Sequence, residues 1–240
     1  KALSYACKKP LVGVNHMKGH ICAAFITHKE LEPPFICLLV SGGHTYLVHV
    51  KDYNNMEVIG KTIDDACGEA YDKVARCLGI NYPGGPEVER LAKLGNDKSI
   101  DFPRVMLDKN SYNFSFSGVK TFITNYVNHE RMKKNEISKE DISKSLQEAI
   151  VNILYDKVEK AVKEKNVKTL LVAGGVSANK GLRKKFENFS DIEVHFPKME
   201  YCTDNAAMIG VAAYYELKNK KIDDKKNNYD VDAISTKEEK

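Results

Sequence analysis

Two apolar stretches of the sequence are each interrupted by a pair of glycines, and together they constrain the fold more than any other feature. In "LLVSGGHTYLVHV", residues 38–50, an apolar run stops at Gly42-Gly43 and then resumes, which predicts a hairpin of two strands. In "LLVAGGVSAN", residues 170–179, a buried strand, a glycine turn and the start of a helix follow in order. Strands and helices alternate along the rest of the chain, so we predict an α/β fold with a mixed sheet.

The remaining elements are predicted from apolar periodicity and from residues that are suited to helix ends. Asn15 and Ser138 are suited to cap the first turn of a helix, and Gly79 is suited to end one. Pro86 fits the first turn of a further helix. We therefore predict a strand over 10–14, a helix from 15, a helix over 64–78, a helix that includes Pro86, a long helix within 137–165, strands before 174 and over 191–197, a last helix within 202–218 and an irregular segment over 99–120.

Composition limits the classes of protein to which the chain can belong. Its 240 residues are 42% hydrophobic and 29% charged, which is typical of a globular protein with a sizeable core. A net charge of +4 permits a nucleic-acid partner without demonstrating one. No apolar stretch reaches the roughly 18 residues that a membrane helix needs, so we predict no membrane partner. The six cysteines form no CxxC pair, which argues against a zinc ribbon and favours reduced residues, most of them in the core: Cys7, Cys22, Cys37, Cys67, Cys77 and Cys202.

Two histidines in "NHMKGH" have the spacing of a metal-binding pair. His16 and His20 are four residues apart, so on a helix they share one face and can bind one ion, although two surface histidines by chance explain the spacing equally well. Zinc proteases use this spacing but need a glutamate directly after the first histidine, where this chain has Met17. Asp204 lies at the start of the last predicted helix and is either a helix cap or a third ligand. Two histidines and one carboxylate would suit iron or zinc and leave positions open for a substrate.

Glycine pairs at three predicted turns allow two interpretations. A tight turn uses glycine for its positive φ, whereas a phosphate site uses the bare backbone N–H groups that glycines expose. At the turn before Asn179, a helix N-terminus offers free N–H groups to an anion, and the asparagine can hydrogen-bond a ribose or a base. The glycine spacing matches neither a Walker loop nor a dinucleotide fingerprint. Together the three turns fit a cleft around a nucleotide: Gly42-Gly43, Gly84-Gly85 and Gly174-Gly175.

Six motifs in a fixed order resemble the tRNA N6-adenosine threonylcarbamoyltransferases, which belong to the actin, sugar-kinase and Hsp70 ATPase superfamily. The motifs are "NHMKGH", "LVSGGHTYL", "TIDDACGEAYDKVARCLGINYPGGP", "FSFSGVKT", "VAGGVSANKGLRKKF" and "YCTDNAAMIG", and the "SGGHT" form is similar to the bacterial or organellar branch. The resemblance implies two related lobes around a nucleotide cleft, with the N-terminal lobe incomplete here. It divides the chain into a remnant of the N-terminal lobe at 1–50, a second lobe with a helical insertion at 51–215 and a disordered tail at 216–240.

The resemblance also implies a metal-assisted transferase. It implies that a threonylcarbamoyl group moves from threonylcarbamoyl-AMP to N6 of the adenosine beside the anticodon, in tRNAs that read codons beginning with A. One divalent metal, iron with zinc as the alternative, would be held by His16, His20 and Asp204. Threonylcarbamoyl-AMP would occupy the cleft, where ATP or AMP can also bind. The group that takes the amine proton is left open between His44 and Asp65. The implied contacts to the adenylate are Leu39, Val40, Ser41, Gly42, Gly43, Asp72, Gly85 and Asn179.

Partners and location are implied in the same way. The expected partners are tRNA and the synthase that makes the threonylcarbamoyl-adenylate, with an inactive paralogue and a small ATPase in a bacterium, or a second copy of the chain in a mitochondrion. The expected location is the bacterial cytoplasm or, alternatively, a mitochondrion or plastid. Because family members begin with roughly a hundred more residues, we expect this chain alone to fold but to be inactive. The alternative function is a nucleotide-binding scaffold without catalysis, which would have no use for three metal ligands.

Overall fold

One mixed β-sheet forms the centre of the structure. The structure is a computed structural model, which describes residues 1–96, 100, 110–219, 229 and 233. Its strands within these residues are β1 (Phe35–Val40), β2 (Thr45–Val50), β3 (Met56–Lys61), β4 (Thr169–Ala173) and β5 (Glu193–His195). The strand order is β3-β2-β1-β4-β5. β1, β2 and β3 form an antiparallel meander, while β4 lies parallel to β1 and β5 lies parallel to β4. The predicted hairpin, the predicted mixed sheet and the two later strands are confirmed.

Helices cover both faces of this sheet. β1 is buried along its whole length, because successive side chains point to opposite faces and each face carries its own core. Leu38 packs with residues of the long helices on one face, and Leu39 packs with Ile21 and Phe25 on the other. The helices in the described residues are α1 (Ala2–Cys7), α2 (His16–Cys22), α3 (Cys67–Cys77), α4 (Gly84–Ala92), α5 (Ser117–Met132), α6 (Lys139–Lys165), α7 (Lys180–Glu187) and α8 (Ala206–Asn219).

Most of the predicted helix ends are confirmed. Asn15 Oδ1 accepts a hydrogen bond from Lys18 N at 3.0 Å, and Ser138 Oγ accepts one from Asp141 N at 3.1 Å. Gly79 follows α3 with a φ of +66°, the left-handed conformation that ends many helices. The sequence-predicted irregular segment is helical from Ser117 onwards, and its residues 99 and 101–109 lie outside the described part of the chain.

Asp64 explains why α3 begins three residues later than predicted. Its carboxylate does not cap the helix but accepts hydrogen bonds from the segment that precedes α5, through Ser115 Oγ, Phe116 N at 2.8 Å and Ser117 Oγ at 2.7 Å. Burial opposes ionisation of this carboxyl group, but these hydrogen bonds outweigh it and lower the pKa of Asp64. The "TIDD" and "FSFSG" motifs are therefore joined in space by one acidic side chain.

We expect Asp64→Ala to lower the free energy of unfolding by about 1 to 2 kcal/mol, because four donors lose a charged acceptor that is itself partly exposed. The pKa of Asp64 is lower in the folded state, so its stabilisation is present above the ordinary carboxyl pKa and is lost as the pH falls through the folded value. Urea unfolding at neutral and at acidic pH measures both effects. A Ser117→Ala variant, which removes one exposed donor, should lose less; an equal loss would contradict the assignment.

Three sequence predictions about organisation differ from the structure. No strand covers 10–14, because an extended segment becomes a strand only beside a partner, and none lies next to these residues in the described chain. The division expected after residue 50 falls between β2 and β3, which are paired neighbours in one sheet. The predicted tail begins inside α8, which extends to Asn219; residues 220–228, 230–232 and 234–240 of that tail lie outside the described residues.

The described part of the chain contains neither a disulfide nor a helix suited to cross a membrane. The six cysteines are unpaired, and four of them are buried: Cys22, Cys37, Cys67 and Cys202. Burial raises the pKa of Cys22 to about 12, which keeps its thiol protonated and unreactive. Among the helices of the described residues, none combines the length and the apolar character needed to cross a membrane.

Candidate metal and nucleotide site

The two histidines of "NHMKGH" lie on one face of α2 and converge on Asp204. His16 Nε2 is 3.4 Å and His20 Nε2 is 3.1 Å from Asp204 Oδ1, and the three candidate ligand atoms all lie within 4.8 Å of one another. Only 4% of the His20 side chain is exposed, whereas 75% of Asp204 is. The carboxylate therefore closes a partly buried histidine pair from the solvent side.

The residue that caps α8 is Asn205, not Asp204. Asn205 Oδ1 accepts a hydrogen bond from Met208 N at 2.9 Å, so the cap position is filled and the neighbouring aspartate is free to face α2. The two helices meet at Gly19, where a β-carbon would lie 3.1 Å from Ile209 Cδ1. This contact holds the start of α8 beside the histidines, and it favours the third-ligand interpretation of Asp204 over the helix-cap interpretation.

Substitutions at Asp204 and Asn205 should distinguish the residue that caps α8 from the residue that faces the histidines. Asn205→Ala is expected to lower the free energy of unfolding by about 1 kcal/mol, the usual cost of losing a helix cap. Asp204→Ala is expected to change it by less than about 0.5 kcal/mol in metal-free buffer, because the side chain is largely exposed and caps nothing. Urea unfolding in the presence of a chelator measures both. The reverse order of effects would make Asp204 the cap.

The buried His20 and the half-buried His44 both favour the neutral form of the imidazole. Burial lowers the pKa of His20 and the nearby His16 lowers it further, although Asp204 acts in the opposite direction. His44, at the tip of the β1–β2 hairpin, has its pKa lowered first by burial and then by His16. A neutral imidazole has a nitrogen lone pair, so both rings are in the form that binds metals or accepts protons.

The glycines at the hairpin tip leave their backbone open to solvent. The four-residue connection is closed by Ser41 N donating to His44 O at 2.8 Å and by His44 N donating to Ser41 Oγ at 3.0 Å. Neither Gly42 nor Gly43 has a positive φ, and a β-carbon on either would meet nothing within 4 Å. The tight-turn interpretation expected glycine here because of a positive φ. That reason is wrong, because neither residue adopts a left-handed conformation.

Close backbone approaches join the hairpin tip to two other elements. A β-carbon on Gly68, in the first turn of α3, would lie 2.7 Å from Gly42 Cα, and Gly68 N donates to Ser41 O at 3.1 Å. Gly174 has a φ of +88°, and a β-carbon there would lie 2.4 Å from Val40 O. Two glycine turns therefore lie side by side at the carboxyl ends of the parallel strands β1 and β4, the edge of a sheet where ligands bind in α/β proteins.

The third glycine turn is joined to α3 by Asp72. Asp72 lies one helical turn after Gly68, on the same face of α3, and its Oδ1 accepts a hydrogen bond from Gly84 N at 2.8 Å. A β-carbon on Gly85 would meet nothing within 4 Å, so its backbone is as open as that of the hairpin tip. The residues implied for the adenylate thus follow one helix face from the hairpin to the Gly84-Gly85 turn.

Three other residues implied for the adenylate already have contacts of their own. Leu39 and Val40 are fully buried in the two cores, so only their backbone atoms can face a ligand. Asn179 caps α7: its Oδ1 accepts from Leu182 N at 2.9 Å, and its Nδ2 donates to Gln147 Oε1 at 3.1 Å. A contact to a base or ribose would therefore use the second amide hydrogen or the remaining lone pair of Asn179.

Sequence reasoning missed two residues that position the site. Gly68 lies within the quoted "TIDDACGEAY" motif, but only the close approach of the hairpin reveals why a side chain is excluded there. Thr203 Cγ2 lies 4.0 Å from a β-carbon position on Gly175, which brings the residue before Asp204 to the second glycine turn. Neither contact has a signal in the local sequence, because both join segments that are distant along the chain.

The His16–His20–Asp204 set fits a divalent transition metal. Two imidazole nitrogens and one carboxylate oxygen are borderline and hard donors of the kind that bind iron or zinc, and they occupy one side of an ion, which leaves positions for substrate oxygens. The 3.1 and 3.4 Å separations from Asp204 Oδ1 are those of ligands around a common ion of this size.

Comparison with known proteins identifies the family of the chain. The family described as "TsaD: tRNA N6-adenosine threonylcarbamoyltransferase" matches residues 1–211. The chain belongs to this family. A tRNA N6-adenosine threonylcarbamoyltransferase of Clostridium kluyveri is 54% identical over 220 residues, which are 90% of this chain and 64% of that protein. One of Clostridioides difficile is 52% identical over 227 residues, 93% of this chain and 67% of that protein. The chain thus spans about two thirds of the length of the threonylcarbamoyltransferases that it matches.

Solved structures with low sequence identity share the fold. The structure of full-length HypF in a phosphate- and nucleotide-bound form covers 91% of this chain with a TM-score of 0.65 and 16% identity, and 38% of its own length is matched. HypF of T. kodakarensis covers 90% of this chain with a TM-score of 0.69 and 15% identity, again over 38% of its length. The predicted α/β fold of the actin, sugar-kinase and Hsp70 ATPase superfamily is confirmed for this member of the threonylcarbamoyltransferase family.

Proposed function

We propose that this chain carries the catalytic centre that transfers a threonylcarbamoyl group from threonylcarbamoyl-AMP to N6 of the adenosine beside the anticodon, in tRNAs that read codons beginning with A. The observation that supports this most directly is the position of the His16–His20–Asp204 set beside the open glycine turns at one edge of the sheet. A metal site beside a phosphate site suits the transfer of an acyl group away from a phosphate, because the ion can bind the acyl oxygen while backbone N–H groups bind the phosphate. Membership of the threonylcarbamoyltransferase family supports the identity of that group.

The reaction is an acyl transfer. The N6 amine attacks the carbamoyl carbon and a nitrogen–carbon bond forms, while the bond from that carbon to the phosphate oxygen breaks and AMP leaves. The amine gives up one proton. Because an adenine amine is a weak nucleophile, the site has to make the carbamoyl carbon more electrophilic and stabilise the charge that moves onto the phosphate.

His16, His20 and Asp204 would hold the divalent metal, iron with zinc as the alternative. A metal in that position acts as a Lewis acid toward the oxygens of the substrate. The N–H groups of Gly42 and Gly43 would bind the phosphate, since the surrounding space is open and glycine lets a ligand approach the backbone closely. Ser41 shapes this turn through its own hydrogen bonds to His44.

The nucleoside of the adenylate would lie along α3 and the N-terminus of α7. Asp72 has a second carboxylate oxygen that can accept a ribose hydroxyl while Oδ1 holds the Gly84 amide, and Gly85 leaves room for the sugar. Asn179 would contribute its second amide hydrogen, and Leu39 and Val40 only their backbone. ATP or AMP would compete for the same cleft, because both share the adenosine and phosphate groups.

His44 is the better candidate for the group that accepts the amine proton. It interacts electrostatically with His16 and Asp204, whereas Asp65 is held in an ion pair by Lys73 at 2.5 Å. The lowered pKa of His44 leaves its imidazole neutral, which is the form that accepts a proton.

The partners proposed for this function are the substrate tRNA and the synthase that makes the threonylcarbamoyl-adenylate. If the source is bacterial, the chain would act in the cytoplasm with an inactive paralogue and a small ATPase. If it is mitochondrial, two copies of the chain would act together inside the organelle. Sequence relatives from clostridia favour the bacterial alternative.

The test is reconstitution of the transfer reaction. The chain, preceded by the N-terminal segment of a Clostridium kluyveri relative, would be mixed with the adenylate-forming enzyme, labelled threonine, ATP, bicarbonate and unmodified tRNA. The variants compared are Asp204→Ala and its neighbour Asn205→Ala. Label should enter tRNA with the unmodified sequence and with Asn205→Ala, but not with Asp204→Ala.

Two results would contradict the proposal. Equal labelling with Asp204→Ala would remove the metal site from the reaction. No labelling with any form, after the partner proteins have been added, would favour a nucleotide-binding scaffold; AMP binding without a stoichiometric metal would identify it. A chain that transfers the group at full rate without the added N-terminal segment would overturn the expectation that it is inactive alone.

A further inference from the structure

A second group of side chains that can hold a metal ion lies at the edge strand of the sheet. His195 ends β5, and His28 and Glu30 lie in the connection between α2 and β1. His28 Nδ1 is 2.9 Å from Glu30 Oε1 and 3.4 Å from His195 Nδ1, and His195 Nδ1 is 3.9 Å from Glu30 Oε1. The three atoms therefore form a small triangle that joins two segments distant in sequence.

The outer nitrogens of both rings fix which nitrogen carries the proton. His28 Nε2 lies 2.9 Å from Phe196 O, and a carbonyl oxygen only accepts hydrogen bonds, so this nitrogen must carry a hydrogen. His195 Nε2 lies 3.2 Å from Glu193 Oε1, and the same argument applies to an ionised carboxylate. In each neutral ring the remaining lone pair is on Nδ1, which points into the triangle.

When both rings are neutral, three electron pairs therefore face one another. Two imidazole lone pairs and a carboxylate oxygen at these distances repel unless a positive charge lies among them. One proton can join only two of the three atoms, whereas a metal ion accepts all three. The side chain of His195 is only 8% exposed, so water cannot freely relieve the repulsion on its side of the triangle.

The dimensions of the triangle match a tetrahedral ion. With metal–ligand bonds of 2.0–2.1 Å, two ligands of a tetrahedral zinc ion are about 3.4 Å apart. The observed separations of 2.9, 3.4 and 3.9 Å lie around this value. The contacts of the outer nitrogens are also those of metal-bound histidines, which usually donate their other N–H to a carboxylate or a backbone carbonyl.

We propose that His28, Glu30 and His195 bind a divalent cation of the zinc class, with Glu193 and the Phe196 carbonyl orienting the two rings. The fourth position faces solvent, because 60% of Glu30 and 26% of His28 are exposed. The ion would tie the end of the edge strand β5 to the connection that leads into β1. The site is separate from the His16–His20–Asp204 set and does not depend on the proposed transfer reaction.

The experiment isolates this site by using the Asp204→Ala chain, in which the first set lacks its carboxylate. Zn²⁺ is titrated against a chelating indicator, and Co²⁺ is used as a spectroscopic probe of tetrahedral geometry. We expect one equivalent of Zn²⁺ to bind. His28→Gln and Glu30→Gln, both on the exposed side, should weaken binding by about 100-fold, and Glu193→Gln by about 10-fold.

His129→Gln is the matched control, because His129 also pairs with a neighbouring glutamate, Glu130, but has no second histidine in the group. It should leave binding unchanged. Zn²⁺ binding at full affinity in His28→Gln and in Glu30→Gln would overturn the proposal. The absence of Zn²⁺ binding at neutral pH would also overturn it, and would mean that a shared proton holds the triangle together. The intense visible absorption of tetrahedral Co²⁺, lost in His28→Gln, would support it.

Discussion

Replacement of Gly174 by alanine is expected to lower the free energy of unfolding by about 4 kcal/mol or more. Gly174 has φ +88° and ψ 169°, a conformation that is almost closed to residues with a β-carbon and costs about 1–3 kcal/mol by itself. The added carbon would also lie 2.4 Å from Val40 O, at the end of the central strand, and neither backbone can move without breaking the β1–β4 ladder. Urea unfolding followed by circular dichroism measures the loss.

Gly175→Ala is the matched control for this substitution. Gly175 is the next residue in the same turn, has no positive φ and would meet only Thr203 Cγ2, at 4.0 Å. We expect its effect on stability to be within about 0.5 kcal/mol. An equal loss of stability in Gly174→Ala and Gly175→Ala would contradict this explanation. It would show that the turn as a whole needs glycine, and that the close approach of Gly174 to Val40 is not the cause.

Asp204→Ala is expected to raise the dissociation constant for Fe²⁺ or Zn²⁺ at the first site by at least about 100-fold, because loss of even an orienting side chain outside the ligand set costs 10–100-fold. Asp204 is the one anionic ligand of the set, since an imidazole binds a metal through a nitrogen lone pair, so the variant also loses the attraction between the carboxylate and the cation. Anaerobic titration in the His28→Gln background keeps the edge-strand group from contributing.

His20→Gln should give a similar loss, since it removes a buried nitrogen donor, while Asn205→Ala should bind metal as the unmodified chain does. A loss that is confined to His20→Gln and absent in Asp204→Ala would show that the ion is held by histidines without the carboxylate.

The fold could be predicted where the sequence carries local signals. Apolar runs that stop at glycine pairs identified the β1–β2 hairpin and the β4 turn, and cap residues such as Asn15 and Ser138 identified helix starts. The strand expected at 10–14 was wrong, because strand formation depends on a neighbouring strand that local sequence does not reveal. The pairing between β2 and β3, across the boundary expected at residue 50, likewise has no local signal, because it is a property of the sheet.

The candidate site was predictable in its residue types but not in its assembly. Spacing alone suggested that His16 and His20 share a helix face, yet the same sequence left Asp204 undecided between cap and ligand. The decision depends on Asn205 taking the cap, which is a competition between two adjacent residues. The roles of Gly42, Gly43, Asp72, Gly85 and Asn179 toward a nucleotide remain proposals supported by their positions.

The order of strands in the sheet has a consequence for how the chain reaches its native state. β1, β2 and β3 are joined by short turns and can pair as soon as they exist, but the other side of β1 must wait for β4, which follows only after α3 to α6. Closing so long a loop is slow, because its entropy is lost before the pairing is gained. During synthesis the entirely apolar "FICLLV" strand therefore presents an open edge until Thr169 and its neighbours emerge, so a chain halted before that point should self-associate through β1.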